Sequence, residues 1–263
     1  MKTIHKMSEN DITFEGDSAD YDVLENAAID IANQIINKQF SETVIAFCEI
    51  GVRLGLGTFK MYNGIIDTLQ KANHSPRHFI VGIGVDPYGN IEYSASEGVT
   101  HQRFDYTNIM RNKFTKNIYA LAHKIGFDYL FMNLEDTEFF HRFADGVPYY
   151  ARNKHMIQKY HLVHFDGPHV LDSIMRETLF FYERSVKGTI FVYDDIDSHK
   201  TADDPAFTHP KKMYPDTYVP IYDKIDGVYY EFYNHSEIER WLFAHGFMLV
   251  EKKITKAAYK RMN

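Results

Sequence analysis

The chain has 263 residues and a formal net charge of −7. That length suits one large domain or two small ones, with enough residues for a full core. The negative charge gives no attraction to nucleic acid and argues against such a partner. Cys48 is the single cysteine, so a disulfide framework is excluded. No apolar run has the length of a membrane span, and residues 1–17 lack a signal-peptide core. We therefore expect a cytoplasmic protein without a membrane partner.

Residues 1–40 are predicted to form an N-terminal arm and helix ahead of the main domain, residues 41–263. The first 18 residues are polar and unpatterned, which predicts a poorly ordered arm. From Ser18 to about Phe40, apolar residues recur at the spacing of an amphipathic helix. Its apolar face, over residues 21–37, is a candidate surface for a second subunit, so a homo-oligomer is left open.

Residues 44–58, VIAFCEIGVRLGLGT, predict a strand, a glycine-rich loop and the start of a helix. Residues 44–48 are apolar without a break, which is typical of a strand buried on both faces. Glycines allow the backbone of the loop to approach a ligand closely. These glycines are Gly51, Gly55 and Gly57. Thr58 is predicted to cap the helix, which continues to about Ala72.

The glycine-rich loop matches neither common phosphate-binding motif. In a G-x-G-x-x-G fingerprint Lys60 would stand in place of the third glycine, and no G-x-x-x-x-G-K-[ST] motif is present. Glu49, at the end of the strand, would repel a pyrophosphate. The same carboxylate suits a cationic ligand, and S-adenosylmethionine, with its sulfonium and ammonium groups, is such a ligand.

Further strands and helices alternate along the chain. The strands are predicted at residues 78–86, 129–134, 161–165 and 188–193. Helices are predicted at 108–124, from Glu135 onward, and from the loop after Asp166 to about Arg184. This alternation is typical of βαβ units that form one parallel sheet with helices on both faces.

The remaining residues have a different pattern. Residues 198–227 are rich in proline and tyrosine and are interpreted as a lid or insertion. A strand at 228–233, a helix at 236–245 and a strand from 246 to 250 are predicted to complete the sheet. The basic cluster from Lys252 to Arg261 is interpreted as a solvated helix face.

Every predicted strand of the parallel region ends in acidic residues. They are Glu49, Asp86, Glu135, Asp136, Asp166, Asp194 and Asp195. The carboxyl ends of parallel strands share one edge of an open sheet, and ligands bind at that edge. The sequence therefore predicts an acidic ligand site there.

Four short motifs in this order resemble the class I S-adenosylmethionine-dependent methyltransferases, most of all the metal-dependent O-methyltransferases of the macrocin type. The motifs are EIGVRLG at 49–55, VD at 85–86, FDGPH at 165–169 and GTIFVYDD at 188–195. The resemblance covers about residues 40–197. It implies a Rossmann-like methyltransferase fold, α/β in class, with a mainly parallel doubly wound sheet and an antiparallel C-terminal strand. It also implies methyl transfer to a hydroxyl of a small molecule, with a saccharide or glycosylated natural product as the favoured acceptor.

The resemblance implies a set of cofactor-binding residues. They are Glu49, Gly51, Gly55, Asp86, Glu135 and Asp136. In the family the acid and glycines of the first motif hold the methionine part of S-adenosylmethionine. The ribose hydroxyls are assigned to Asp86, and the adenine to the acids that follow the third strand.

The family also implies a divalent cation, held here by Asp166, Asp194 and Asp195. Carboxylate oxygens on separate loops suit Mg²⁺. Such a cation would lower the pKa of a hydroxyl and hold it in line with the sulfonium methyl. The alternative is that Asp194 caps a helix and that Asp195 is solvated.

Pro168 departs from the family pattern, because it replaces the second acid of D-G-D-H, which is thought to be the base. Proline cannot accept a proton. His169 or His164 could serve instead, metal activation could suffice, or the chemistry has changed. His169 is favoured because it lies on a loop at the ligand edge, beside Asp166, and the pKa of an unperturbed histidine suits a base.

Two rival functions remain open at this point. Asp195-Ile-Asp197 has the D-x-D form with which many glycosyltransferases hold a metal and a nucleotide sugar, although this tripeptide is common by chance. The second rival is a non-catalytic S-adenosylmethionine-binding relative. Pro168 leaves this function open, because it replaces the acid that is thought to be the base.

Overall fold

The computed structural model describes residues 3–7, 12–16, 18–75, 77–89, 92–96, 99–102, 106–167, 171–196, 222–225, 228–231 and 235–263. Pro168, His169, Asp197 and the predicted lid at 198–227, except for residues 222–225, lie outside these ranges.

In chain order the elements are β1 (Thr3–Met7), β2 (Ile12–Gly16), α1 (Tyr21–Ile36), β3 (Val44–Ile50), α2 (Leu56–Lys71), β4 (Phe79–Val85), β5 (Glu92–Ser96), β6 (Val99–Gln102), α3 (Asn108–Ile125), β7 (Asp128–Met132), α4 (Asp136–Arg142), β8 (Val147–Tyr150), β9 (Lys154–Ile157), β10 (Tyr160–Phe165), α5 (Leu171–Glu183), β11 (Ser185–Tyr193), β12 (Tyr222–Ile225), β13 (Val228–Glu231), α6 (His235–Ala244), β14 (Phe247–Lys252) and β15 (Ala257–Arg261).

Seven of these strands form the central sheet, in the order β14-β15-β11-β10-β3-β4-β7. Strands β7, β4, β3, β10 and β11 are parallel, and β15 runs antiparallel between β11 and β14. The chain moves outward from β3 to β4 and β7, then returns to β10 on the other side of β3. This reversal leaves a crevice between β3 and β10, where open α/β sheets bind ligands. The predicted fold class is confirmed.

The sheet separates two apolar cores. On one face Phe47, Leu162 and Val192 pack with residues of α1, α2 and α3. On the other face Cys48, Val163 and residues of α4, α5 and α6 form the second core. Because helices cover both faces, the central strands are apolar at successive positions rather than at alternate ones. The apolar face of α1 is buried within the chain and is not free for a second subunit.

The N-terminal segment differs from its prediction. Residues 3–7 and 12–16 pair as an antiparallel hairpin. Ile12 and Phe14 are buried, and Phe14 stacks on Phe59 with ring centroids 5.0 Å apart. The predicted poorly ordered arm is therefore wrong for these strands. A strand with two apolar residues gives too weak an alternation to be recognised in the sequence.

The C-terminal region also needs correction. The cluster Lys252–Arg261 covers the end of β14, the turn that follows and β15 rather than a helix face, with Lys256 and Tyr259 buried. The strand at 228–231 pairs with β12 in a separate two-stranded sheet and not with the central sheet. Two more hairpins, β5–β6 and β8–β9, had no counterpart in the predicted elements. Among the described residues, no helix is both long and apolar enough to cross a membrane.

Candidate functional site

A cleft with an empty volume of about 460 Å³ opens at the carboxyl ends of β3, β4, β7 and β10. We call it the carboxylate cleft. Its lining residues are Ile50, Gly51, Val85, Asp86, Pro87, Tyr106, Glu135, Asp136, Asp166 and Gly167. Four of them are acids and none is lysine, arginine or histidine. The described lining carries negative charge only.

Gly51 allows β3 and β10 to approach each other at the floor of the cleft. A Cβ atom at this position would lie 1.9 Å from the carbonyl oxygen of Asp166, and the residue has a φ of +82°. The amide of Asp166 in turn donates to the carbonyl of Ile50 at 2.9 Å. Because no other residue fits this contact without strain, the glycine is required by the shape of the floor.

Asp86 joins the glycine-rich loop to the cleft wall. It is buried at the end of β4, and its Oδ2 accepts a hydrogen bond from the amide of Arg53 at 2.7 Å. The hydroxyl of Tyr88 donates to the carbonyl of Arg53. The loop is therefore held at both the backbone amide and the backbone carbonyl of Arg53.

Glu135 and Asp136 lie where β7 meets α4. Glu135 occupies the N-cap position, and its carbonyl accepts from the amide of Phe139 at 2.9 Å. Burial raises the pKa of both carboxyls, and the charge of Asp136 raises that of Glu135 further. Glu177, on α5, is fully buried, and its burial and the charge of Asp136 raise its pKa well above the usual value.

Glu49 lies behind the cleft and does not line it. Its carboxylate is buried, with Oε1 at 2.9 Å from Nδ1 of His164 and Oε2 accepting from the hydroxyl of Thr58. A Cβ atom on Gly57 would lie 1.9 Å from Oε1, so this glycine makes room for the pair. The structure thus gives Glu49 partners within the protein, and its contact with the cofactor stays a prediction. His164 is buried in the same pair, and a ring nitrogen lies within 4.8 Å of a carboxylate oxygen of Asp166 in the cleft lining.

Thr58 does not cap α2 as predicted, and Gly55 is held by packing, while its contact with the cofactor stays a prediction. Gly55 is the N-cap of α2, with a φ of +81°, and a Cβ atom there would lie 2.7 Å from the ring of Phe114. It serves the packing of the loop on α3 and does not line the cleft. Thr58 lies inside α2 and caps nothing, because its hydroxyl is directed to Glu49.

Asp194 is the acid whose surroundings differ most from the prediction. Its Oδ2 lies 2.6 Å from Nζ of Lys256, and neither side chain is exposed to solvent. Its Oδ1 accepts from the hydroxyl of Ser18 and from the amide of Asp195, each at 2.7 Å. Burial opposes ionisation, but the charges of Lys256 and His164 and these hydrogen bonds outweigh it and lower the pKa of Asp194 to about 2.

The described residues do not fit the predicted Mg²⁺ site at Asp166, Asp194 and Asp195. The charge of Asp194 is already compensated by the buried Lys256, so this carboxylate offers no uncompensated charge to a cation. Within the described ranges, the group whose ligand atoms lie within 4.8 Å of one another is Glu49, His164 and Asp166 instead. Two members of that group already bind each other. Asp166 does line the cleft. Asp195, which follows Asp194 in the sequence, is half-buried.

Several site residues were missed from the sequence. Tyr106 lines the cleft, and Ser18 and Lys256 enclose Asp194. Glu177 could have been found, because it falls on the same face of α5 as the buried residues Ile174 and Phe181. An acid on the apolar face of a helix is a recognisable signal. His169 lies outside the described residues, so its role stays a prediction.

Comparisons with known proteins give weak similarities. No protein-family model matches the chain, and no curated protein matches its sequence at a significant level. Among solved structures, an O-methyltransferase from Bacillus cereus in complex with SAH is 10% identical, with a TM-score of 0.48, over 93% of this chain and 83% of that one. The O-methyltransferase TomG from Streptomyces achromogenes, in complex with SAM, is 10% identical, with a TM-score of 0.45, over 90% and 80%.

A third similar structure is the MycE methyltransferase from the mycinamycin biosynthetic pathway, in complex with Mg, SAH and mycinamycin VI. It is 11% identical, with a TM-score of 0.40, over 92% of this chain and 55% of that one. At such values the function has to be argued from the cleft itself.

Proposed function

We propose that the protein transfers a methyl group from S-adenosylmethionine to a hydroxyl of a small molecule. The observation that carries this proposal is the charge of the carboxylate cleft. Among the described residues, four acids and no basic side chain line it, at the crevice where the strand order reverses. A cationic cofactor is the kind of ligand that such a lining favours.

The charge separates the candidate cofactors. Two unit charges 4 Å apart interact by about 1 kcal/mol in water and by about 4 kcal/mol near a protein surface. A diphosphate, as in a dinucleotide or a nucleotide sugar, would meet this repulsion from several carboxylates. A sulfonium and an ammonium would meet attraction of the same size. The charge therefore favours S-adenosylmethionine over the nucleotide sugar of a glycosyltransferase.

The lining residues suit the parts of this cofactor. The backbone at Gly51 offers a surface without side chains next to the sulfonium. Asp86, at the end of β4, suits a ribose, because a carboxylate accepts hydrogen bonds from both hydroxyls. Glu135 and Asp136 are placed to accept hydrogen bonds from an adenine amino group.

When bound, S-adenosylmethionine would supply a methyl group: a bond would form between the acceptor oxygen and the methyl carbon as the methyl–sulfur bond breaks, the thioether would leave, and the hydroxyl proton would pass to a carboxylate of the cleft or to water. Asp166 lies on the cleft floor beside Gly51, where its carboxylate can accept a hydrogen bond from the acceptor hydroxyl and orient it. Lys256 occupies the position in which a cation would have bound Asp194, so the proposal uses no metal. A saccharide acceptor stays a prediction.

Calorimetric titration with S-adenosylhomocysteine (SAH) tests the proposal, with a uridine diphosphate sugar titrated in parallel. We expect SAH to bind with a Kd in the micromolar range or tighter and the nucleotide sugar not to bind. The Asp86→Asn variant, which keeps an oxygen acceptor for the Arg53 amide, should bind SAH more weakly. Binding of the nucleotide sugar without SAH would overturn the proposal. SAH binding without methyl transfer to any hydroxyl acceptor would indicate a non-catalytic relative.

A further inference from the structure

Lys256 is a fully buried lysine that lies immediately before β15. Its Nζ is 2.6 Å from Oδ2 of Asp194 and 2.9 Å from Oγ of Ser18. The third neighbour is the ring of Tyr21, whose centroid lies 4.3 Å from Nζ. An ammonium has three donors, and a carboxylate, a hydroxyl and an aromatic face can each interact with one of them. The charge of this lysine is therefore satisfied entirely inside the protein.

Both oxygens of Asp194 are in contact with the surrounding chain. Oδ1 accepts from the hydroxyl of Ser18 and from the amide of Asp195, and Oδ2 meets the ammonium of Lys256. Carboxylate and hydroxyl oxygens are also ligands for Mg²⁺, but this ion gives up its water reluctantly and usually keeps several water ligands. Neither Asp194 nor Lys256 has an exposed side chain. A divalent cation can therefore reach Asp194 only by displacing the ammonium.

The backbone on both sides of Lys256 holds it in this position. The carbonyl of Thr255, the preceding residue, accepts from the amide of Ile196 at 3.2 Å, and its amide donates to Oδ2 of Asp20 at 2.9 Å. Ala257, the following residue, pairs with the last residue of β11. The lysine is thus a fixed part of the sheet edge and not a surface side chain that can move aside for another cation.

We propose that Lys256 is a resident cation that takes the place of a divalent metal ion at Asp194. The chain supplies the positive charge at this end of the sheet through its own side chain, and no metal binds there. Removing that side chain should therefore vacate a site in which the oxygens of Asp194 and Ser18 accept a cation from solution.

This inference goes beyond the proposed function, because it concerns folding and cation binding and not methyl transfer. Its tests measure the melting temperature without SAH. Failure of the wild type to bind SAH would overturn the proposed function and leave this inference standing, so the two failures are distinguishable.

The first test compares the wild type with the double variant Asp194→Asn, Lys256→Met, which lacks both charges. A cation that binds the folded protein raises its melting temperature. Weak attraction of Mn²⁺ to the carboxylate cleft acts on both proteins alike. We therefore expect millimolar Mn²⁺ to shift their melting temperatures equally, within about 1 °C. A greater rise in the wild type would show a metal at Asp194 and overturn the inference.

The second test vacates the site with Lys256→Ala. The buried carboxylate loses its counter-charge, so the melting temperature should fall by at least about 6 °C. Ethylammonium, which has the size and charge of the lost group, or Mn²⁺ should recover at least about half of this loss. Tetramethylammonium has the same charge but no N–H donor and should not.

Two controls accompany this variant. Lys256→Ala combined with Asp194→Asn should lose less and should gain nothing specific from ethylammonium, because no buried charge is left. Lys260→Ala, at the half-exposed pair with Asp30, should show neither a large loss nor a recovery. No recovery of Lys256→Ala with either cation, or equal recovery when Asp194→Asn is added, would overturn the inference. If Lys256→Ala does not fold, the comparison of the wild type with the double variant still decides it.

Discussion

Two parts of the same sheet edge carry acids and use them in opposite ways. At the ends of β4 and β7, Asp86 and Asp136 face an open cleft without a basic neighbour in its described lining. At the end of β11, Asp194 is enclosed by Lys256 and Ser18. Each acid follows a strand of the central sheet. The difference indicates that the charge of an acid at a strand end stays available to a ligand only where no other part of the chain supplies a counter-charge.

The largest expected effect comes from breaking the enclosed side. Lys256→Met removes the ammonium and leaves Asp194 as a buried, uncompensated charge, which should lower the free energy of unfolding by about 3–5 kcal/mol. Denaturant unfolding measures this loss. Adding Asp194→Asn should recover most of it, because the amide still accepts from Ser18. Lys260→Met, at the half-exposed pair with Asp30, is the control and should cost about 1 kcal/mol or less. Equal losses in the single and double variants would contradict this account.

The enclosed side also predicts a dependence of stability on pH. The pKa of Asp194 is lowered from 3.8 to about 2 in the folded protein. Its contribution is therefore present above pH 4 and is lost as the pH falls through about 2, by about 2 kcal/mol in total. Unfolding measured between pH 5 and pH 2 should show a smaller loss in the double variant Asp194→Asn, Lys256→Met. Identical pH profiles would mean that other carboxyls carry the effect.

The open side should respond in affinity rather than in stability. Asp86→Asn removes a charge from the carboxylate cleft but keeps an acceptor for the Arg53 amide. We expect the affinity for SAH to fall about tenfold, which is about 1.4 kcal/mol, with little change in the melting temperature. Asp194→Asn should leave this affinity nearly unchanged. Calorimetry and thermal unfolding of both variants test the comparison. Equal losses of affinity would contradict the distinction between the open acid Asp86 and the enclosed acid Asp194.

The smallest effect is expected at the support of the glycine-rich loop. Tyr88→Phe removes the hydroxyl that donates to the carbonyl of Arg53. The free energy of unfolding should fall by about 1 kcal/mol, the value of one hydrogen bond. The affinity for SAH should fall less than in Asp86→Asn. A greater fall would show, by calorimetry, that the position of the loop matters more than the charge of Asp86.

The elements that could be predicted are those with a strong local signal. The apolar runs of β3, β4, β10 and β11 and the periodic apolar residues of α1 predict their own structure, and the acids at the strand ends predict the edge. Short hairpins such as β1–β2 give a weak local pattern, because their stability comes from packing on α2 and α3.

The partners of the acids could not be read from local pattern. Ser18 lies 176 residues from Asp194, and nothing near either residue indicates their contact. Glu49 shows a second limit, which is orientation. Neighbouring strand residues point to opposite faces, so Ile50 reaches the cleft while Glu49 turns toward α2 and His164. The acid at this strand end could be recognised from the sequence. The face of the sheet to which its side chain points depended on the strand register, which the sequence does not determine.

The contact between Lys256 and Ser18 joins positions 238 residues apart. During synthesis on a ribosome, therefore, Ser18 emerges long before Lys256, which donates a hydrogen bond to it. Until β15 is made and inserted beside β11, Asp194 lacks its counter-charge, and this side of the sheet cannot close. Strands β3 and β4, which need neither residue, can pair much earlier. The order of synthesis thus favours early assembly of the strands beside the carboxylate cleft and late pairing of β15 with β11 at the other side of the sheet.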